Sequence, residues 1–234
     1  QPVTEAWRAN VYTFLKRSQL AELDASLVPL TGDASNRRYV RVIPSNGKSL
    51  VLALYSEPFK FETLPFIIVA SLLNRMQVSV PTVIEHAADL GMLALQDLGD
   101  VTLQAHLGTE PTSDHLALYE EAVDLITVIQ RKGVEMAAPS VLPFTVVFDV
   151  KKFMWELNFF VKHFLEGYRG VTLKDAERGD LSAEFLKLSE ALVSEPRVLC
   201  HRDYHSRNLM LHNKRLFVID FQDARMGPAT YDLV

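Results

Sequence analysis

Hydrophobic positions along this chain change their period partway through. From about residue 25 to 97 they alternate with polar residues or form short runs closed by Gly, Pro, Asn or Asp; beyond that they recur mostly at helical spacing. Ahead of the change, residues 4–18 place Trp7, Val11, Phe14 and Leu15 along one helical face. Strands follow at 25–30, 37–43 and 49–55, joined by "TGDASN" and "PSNGK", with Asn46-Gly47 as the hairpin signal. This predicts an antiparallel meander. A helix is predicted over 62–76, apolar at Leu64, Ile67, Ile68 and Leu72. Two short strands, "TVIEH" and "MLALQDL", flank the turn "AADLG", and Gly99-Asp100 breaks the pattern. Helices are then predicted over 114–132, 150–165 and 181–194. Short strands come last, at 198–201, about 209–211 and in "LFVID", the final two joined by the turn "HNKR".

Strands ahead of helices predict an α+β protein of two lobes: a β-rich lobe over 1–97 and a mainly helical lobe over 98–234. A cleft between two lobes is a common ligand site. Composition narrows the function classes. The 234 residues are 48% hydrophobic and 23% charged, ordinary for a globular enzyme. One cysteine excludes an internal disulfide framework and suits a reducing, cytoplasmic setting. A net charge of −5 argues against nucleic acid as partner, while leaving room for a local basic pocket around a phosphate. The longest apolar runs, such as "FIIVASLL", fall far short of a membrane span, and no signal-peptide pattern opens the chain. The start at Gln1 and the stop at "YDLV" read as those of a fragment of a longer protein.

The candidate chemistry lies near the end, in "CHRDYHSRNLML" and "LFVIDFQDA". Asp203 is flanked by His201, Arg202, His205 and Arg207, charges that keep a carboxylate ionised and able to take a proton from a hydroxyl. Asn208 offers an amide oxygen, and Asp220, closing an apolar strand, a carboxylate. Hard oxygen donors of this kind suit magnesium, which keeps phosphate oxygens and water as further ligands. Each residue alone has a plainer reading as a loop ion pair, a turn cap or a turn former. Asp and Asn five apart, with a strand-end Asp twelve further on, make the set that phosphoryl transfer needs.

These segments resemble the catalytic and metal-binding loops of the kinase superfamily, and more narrowly the aminoglycoside phosphotransferase and choline kinase family. His205 stands where protein kinases carry a Lys, and Asp220-Phe221-Gln222 where they carry D-F-G. Within the family, "LTGDASNRRYVRV", "VSVPTVIEH", "ALQDLGDVTL" and "HRDYHSRNLM" are similar to the bacterial anomeric N-acetylmuramate/N-acetylglucosamine kinases. The resemblance implies a protein-kinase-like fold and a small-molecule kinase that uses ATP and Mg2+ on a sugar hydroxyl. It implies Asp203 as catalytic base, with His201 supporting the loop and His205 beside it. It implies Asn208 and Asp220 as metal ligands, and Asp232 as a buried residue hydrogen-bonded to the catalytic loop. It also implies a phosphate-covering loop at Gly32, Asp33, Ala34, Ser35 and Asn36, and a hinge where the backbone of Gln96 and Leu98 meets adenine.

Three departures qualify the resemblance. The phosphate loop has one glycine. Ala53 or a neighbour stands where kinases keep a strand lysine, so the charge is expected from Arg37, Arg38 or Arg41, and Glu62, the lysine's usual partner, is expected to be exposed. The resemblance implies further C-terminal helices that help to build the acceptor site, and they are expected to follow the stop after Asp232. Two other readings compete: an aminoglycoside-modifying kinase, and a nucleotide-binding pseudokinase or regulatory module, for which the absent lysine is the best support. Elsewhere, lone Cys200 reads as a small buried hydrophobe, the aromatic "FMWELNFFVKHF" as core packing with Trp155 and Glu156 able to line a sugar pocket, and His205 and His212 do not make a zinc pair.

Overall fold

The computed structural model describes residues 6–22, 24–30, 37–108 and 113–233. In chain order its elements are α1 (Ala6–Ser18), β1 (Ser26–Leu30), β2 (Arg38–Ile43), β3 (Leu50–Leu54), α2 (Pro65–Arg75), β4 (Val83–Ala87), β5 (Met92–Gln96), α3 (Leu103–Leu107), α4 (Ser113–Glu135), α5 (Leu142–Thr145), α6 (Val150–Phe160), a π-helical turn Val161–Tyr168, α7 (Asp175–Ser194), β6 (Arg197–Cys200), β7 (Leu209–His212), β8 (Arg215–Val218) and β9 (Arg225–Pro228). They form two compact units, residues 1–115 with 206–219, and residues 116–205 with 220–234. The α+β class read from the sequence is the class observed.

The first unit is built on an antiparallel sheet of order β1-β2-β3-β5-β4. Strand alternation sorts its residues by face. Val40, Val42, Leu50, Leu52, Leu54, Met92 and Ala94 pack with Val11, Phe14 and Leu15 of α1 in one apolar core. Arg38 shares their parity on β2. Tyr39, Arg41, Val51, Ala53, Leu93 and Leu95 take the opposite face, where Tyr39 pairs with Ala53 and Arg41 with Val51. The turn into β5 depends on Gly91, whose φ is +66° and whose absent Cβ would meet the Tyr55 and Glu57 carbonyl oxygens at 2.9 Å.

The predicted helix over 62–76 begins later than expected. Residues Phe61–Thr63 form a 3₁₀ turn, Leu64 is extended, and α2 starts at Pro65. A residue before proline is pushed out of helical geometry, while proline itself fits the first helical position. Glu62, on that turn, is exposed as expected. The hairpin β7–β8 turns at Asn213 and Lys214, both at positive φ. It is tied into the first unit by hydrogen bonds from Leu211 N–H to Val101 O and from Val218 N–H to Ser79 O.

The second unit holds α5, α6, α7, most of α4, and the β6–β9 pair. Helix α6 is capped by the Asp149 side chain, which accepts from Lys152 N–H at 2.7 Å, and it runs into the π turn instead of ending at 165. Here the expectation of core packing fails. Phe153 and Val161 are buried, but Trp155 is 54% exposed and Phe159, Phe160 and Phe164 nearly as open. Aromatics at 155, 159, 160 and 164 span more of the helix than one buried stripe can cover, and they meet along its surface, Trp155 tilted against Phe159 and Phe160 stacked on Phe164. Helix α7 starts six residues earlier than predicted, where Lys174 N–H donates to Glu177. No helix among the described residues is long and apolar enough to cross a membrane.

Strand β6, which leads into the "HRD" loop, is positioned by close packing. A Cβ on Gly133 of α4 would stand 2.6 Å from Leu199 Cβ, so the helix approaches the strand as only glycine allows. Gly133→Ala gains ~1 kcal/mol of helix propensity, but it forces two backbone-fixed carbons apart at an overpacking cost of ~1–3 kcal/mol. We expect a net loss of stability in chemical denaturation; a more stable variant would show that the helix and strand move apart freely. On the same strand Cys200 is fully buried, its thiol donating to Pro228 O at 3.5 Å. Burial, aided by the nearby Asp232 charge, pushes this thiol up to about 12. A disulfide reagent at neutral pH should therefore modify Cys200 only at the rate of unfolding, and rapid reaction with the native protein would contradict this placement.

Candidate active site

Strand β6 pairs with β9, Leu199 opposite Met226 and Cys200 opposite Arg225, and delivers the chain to His201. Both carboxylate oxygens of buried Asp232 then take backbone donors: His201 N–H at 2.6 Å and Arg202 N–H at 2.9 Å. Arg202 has φ +91°, a region that L-residues avoid at a cost of ~1–3 kcal/mol. Two charge-assisted bonds of ~1.5–3 kcal/mol each are enough to hold it there. Burial lifts the Asp232 carboxyl above the usual carboxylate range, and the two N–H donors pull against that rise.

The next residues are fixed in turn. Asp203 N–H donates to His201 Nδ1 at 3.3 Å, which leaves the ring proton of a neutral His201 on Nε2. The Tyr204 ring meets His201 edge-on, and its hydroxyl donates to Ala122 O of α4 at 2.7 Å. Burial, with Asp232 and Glu121 nearby, pushes the Tyr204 hydroxyl up, so it stays a donor. The Asp203 backbone is thus anchored through β6–β9, Asp232 and α4. Its side chain is half-buried, and His205 is exposed.

Asn208 belongs to the first unit, at the base of the β7–β8 hairpin, where its carbonyl accepts Ile219 N–H at 3.0 Å. Asp220 is the next residue after Ile219. It does not end a strand as predicted: β8 stops at Val218, and Asp220 is an exposed bend residue with φ +61°. Gln222 Nε2 donates to Asp220 Oδ1 at 2.8 Å. Beyond it, Asp223 lies near two cations, 3.7 Å from Arg202 Nη1 and 3.8 Å from Arg225 Nη2. Among the described residues no three His, Cys, Asp or Glu side chains gather as a metal site. One carboxylate and one amide are nonetheless the donor types a magnesium ion accepts when phosphate and water supply the rest.

The predicted nucleotide residues are distributed as follows. Gly32, Asp33, Ala34, Ser35 and Asn36 lie outside the described residues. Arg38 stands exposed on the α1 side of β2, opposite in face to Ala53. Gln96 N–H donates to Thr82 O at 2.8 Å, and its side-chain oxygen accepts the Thr82 hydroxyl at 3.2 Å. The Leu98 carbonyl is hydrogen-bonded to His212 Nδ1 at 3.0 Å. Arg41, expected as a source of phosphate charge, is instead tied to acids. Its Nη1 donates to Asp100 at 2.8 Å, its Nη2 to Asp97 and to Gly99 O, both at 3.0 Å, and its Nε lies 2.7 Å from Asp97 Oδ2 at an angle outside hydrogen-bond geometry. The Tyr204 anchor and the Arg41 and His212 contacts were not read from the sequence. Their partners lie 56 to 114 residues away, with no local spacing to flag them.

Comparison with known proteins supplies the context. The family model described as "Phosphotransferase enzyme family" matches residues 26–234. The N-acetylmuramate/N-acetylglucosamine kinase of Neisseria meningitidis serogroup B is 35% identical over 214 residues, covering 91% of this chain and 61% of that protein. The protein of the same name from Pseudomonas aeruginosa is 33% identical over 213 residues, covering 89% of this chain and 58% of that protein. The chain thus spans about three-fifths of the length of these relatives. Among solved structures, ADP-bound aminoglycoside phosphotransferase APH(2'')-Ib aligns with a TM-score of 0.64 at 16% identity, over 96% of this chain and 73% of the other. Choline kinase LicA from Streptococcus pneumoniae aligns with a TM-score of 0.60 at 13% identity, over 95% of this chain and 71% of the other. These likenesses show the protein-kinase-like fold. With its loop motifs, its fold and a family match reaching from the first strand to the end, the chain belongs to the phosphotransferase enzyme family.

Proposed function

We propose that this chain carries the nucleotide-binding and catalytic loops of a small-molecule kinase. It transfers the γ-phosphate of ATP to a hydroxyl of an amino sugar, N-acetylmuramate or N-acetylglucosamine. The observation that carries the chemistry is the fixed "HRD" loop: Asp232 accepts from His201 and Arg202 N–H, which sets the backbone on which Asp203 stands. The acceptor rests on the relatives of that name, 33–35% identical over about nine-tenths of this chain.

In this reading Asp203 accepts the proton of the sugar hydroxyl as its oxygen attacks the γ-phosphorus, and ADP leaves in line. Asn208 and Asp220 hold magnesium, which when bound neutralises charge on the phosphates. The backbone around Gln96 and Leu98 meets the adenine. Positioning and charge neutralisation, with no covalent enzyme intermediate, account for the acceleration. An ATP-using enzyme with a single buried thiol suits a reducing, cytoplasmic setting.

The test is direct phosphorylation by the full-length protein with radiolabelled ATP and magnesium, on a panel of acetylamino sugars and aminoglycosides. Acetylamino sugars should be labelled and aminoglycosides not, and Asp203→Asn should lower turnover by ~10²–10⁴-fold. Near-full activity of the variant would remove Asp203 as the base. Preferential labelling of aminoglycosides would replace the proposed acceptor. Nucleotide binding without turnover on any acceptor would favour a regulatory module.

A further inference from the structure

Four consecutive residues after β5, Asp97 to Asp100, are gripped by side chains from two other elements of the first unit. Arg41 of β2 binds Asp97, the Gly99 carbonyl and Asp100, and His212 of β7 binds the Leu98 carbonyl. Asp97 also accepts Gly99 N–H at 2.9 Å, and Gly99 itself has a φ of +81° that only glycine adopts freely. With its carbonyl held and both neighbours pinned, Leu98 has little torsional freedom left.

We infer that Arg41 is a positioning residue for the nucleotide base: it fixes the 97–100 segment so that the Leu98 backbone is presented to adenine, and it is not a phosphate ligand. The inference rests on the base-contacting role proposed above for residues 96–98.

Three observations support it. The guanidinium is held on three sides, with Nη1 donating to Asp100, Nη2 to Asp97 and Gly99 O, and Nε facing the Asp97 carboxylate. Its charge is answered twice over, since one cation faces the two carboxylates of Asp97 and Asp100, and a phosphate approaching that group meets net negative charge. The ion pair is also largely enclosed: the Arg41 and Asp97 side chains are 13% and 7% exposed. Burial alone would push the Asp97 carboxyl up, yet bonds from Ser49, Gly99 N–H and Arg41 hold it below the usual range. Displacing such a partner with a ligand phosphate leaves a buried charge unpaired, which a direct hydrogen bond to phosphate does not offset.

The experiment separates base from phosphate by using each alone. Adenosine, inorganic tripolyphosphate and ATP are titrated by calorimetry into the wild-type protein, Arg41→Ala and Asp100→Ala, with a thermal melt of each. Arg41→Ala should weaken adenosine and ATP together by about tenfold, roughly the weight of one misaligned hydrogen bond, and leave tripolyphosphate affinity unchanged. Asp100→Ala removes the exposed prong of the clamp, a side chain 75% open to solvent. It should weaken adenosine measurably but by less than Arg41→Ala, about two- to fivefold, since an exposed pair contributes less than an enclosed one, and should not affect tripolyphosphate. If Arg41→Ala does not fold, the Asp100→Ala comparison decides alone. Loss of tripolyphosphate affinity matching the loss for ATP would make Arg41 a phosphate ligand and overturn the inference. So would adenosine binding that neither variant alters. A wild-type protein that binds tripolyphosphate but not adenosine would instead overturn the placement of the base at 96–98, and this inference with it.

Discussion

The buried carboxylate of Asp232 is the interaction on which the candidate site depends. An acid 5% exposed is costly to bury. Here that cost holds His201 and Arg202 by their backbone N–H groups and keeps Arg202 in a left-handed conformation it would otherwise leave. The strain and the two bonds are of similar magnitude, a few kcal/mol each way. The loop therefore has its geometry because Asp232 is present, not because the local sequence favours it. Everything proposed for Asp203 inherits that dependence, since its own N–H is bound to His201.

Charge is used differently in the first unit. Arg41 shares the sheet face that carries Ala53, the position where the resemblance looks for a lysine, yet its charge is committed to Asp97 and Asp100. Arg38, the other candidate on β2, has the parity of the α1-covered face. Two arginines three apart on a strand point to opposite faces, and the structure gives them different surroundings for that reason. A cation on the right face is thus not the same as a cation available to a ligand.

Much of the fold was legible because local rules dominate there. The meander over β1 to β3 follows from alternation and Asn46-Gly47, and α1 from one apolar stripe. Errors fell where local rules compete or are silent. Proline geometry at Leu64-Pro65 overrode the helical pattern of 62–76. Strand β9 is four residues, Arg-Met-Gly-Pro, with no alternation to read, and it exists because β6 pairs with it. Helix α3 was missed although Thr102 caps it, being only five residues long. The aromatics of α6 read as core because hydrophobicity does not say which side of a helix is covered. In the site, Asp203, Asn208 and Asp220 were legible as a spaced motif. The Asp232 contact came from the resemblance, because 30 or 31 residues of chain separate its partners. The left-handed bend at Asp220 had no glycine to signal it.

The central claim, that Asp232 positions the base through the backbone, is tested most directly by the kinetics of Asp232→Asn. Asn offers one acceptor oxygen to two N–H donors and turns an NH₂ group toward the other, so the loop is released while shape and volume are kept. In the proposed sugar-phosphorylation assay, kcat should fall by at least ~10–10²-fold, the cost of misplacing a reacting group. The KM for ATP and the folded state, followed by circular dichroism, should be unchanged. A variant that stays folded and keeps wild-type kcat would contradict the claim.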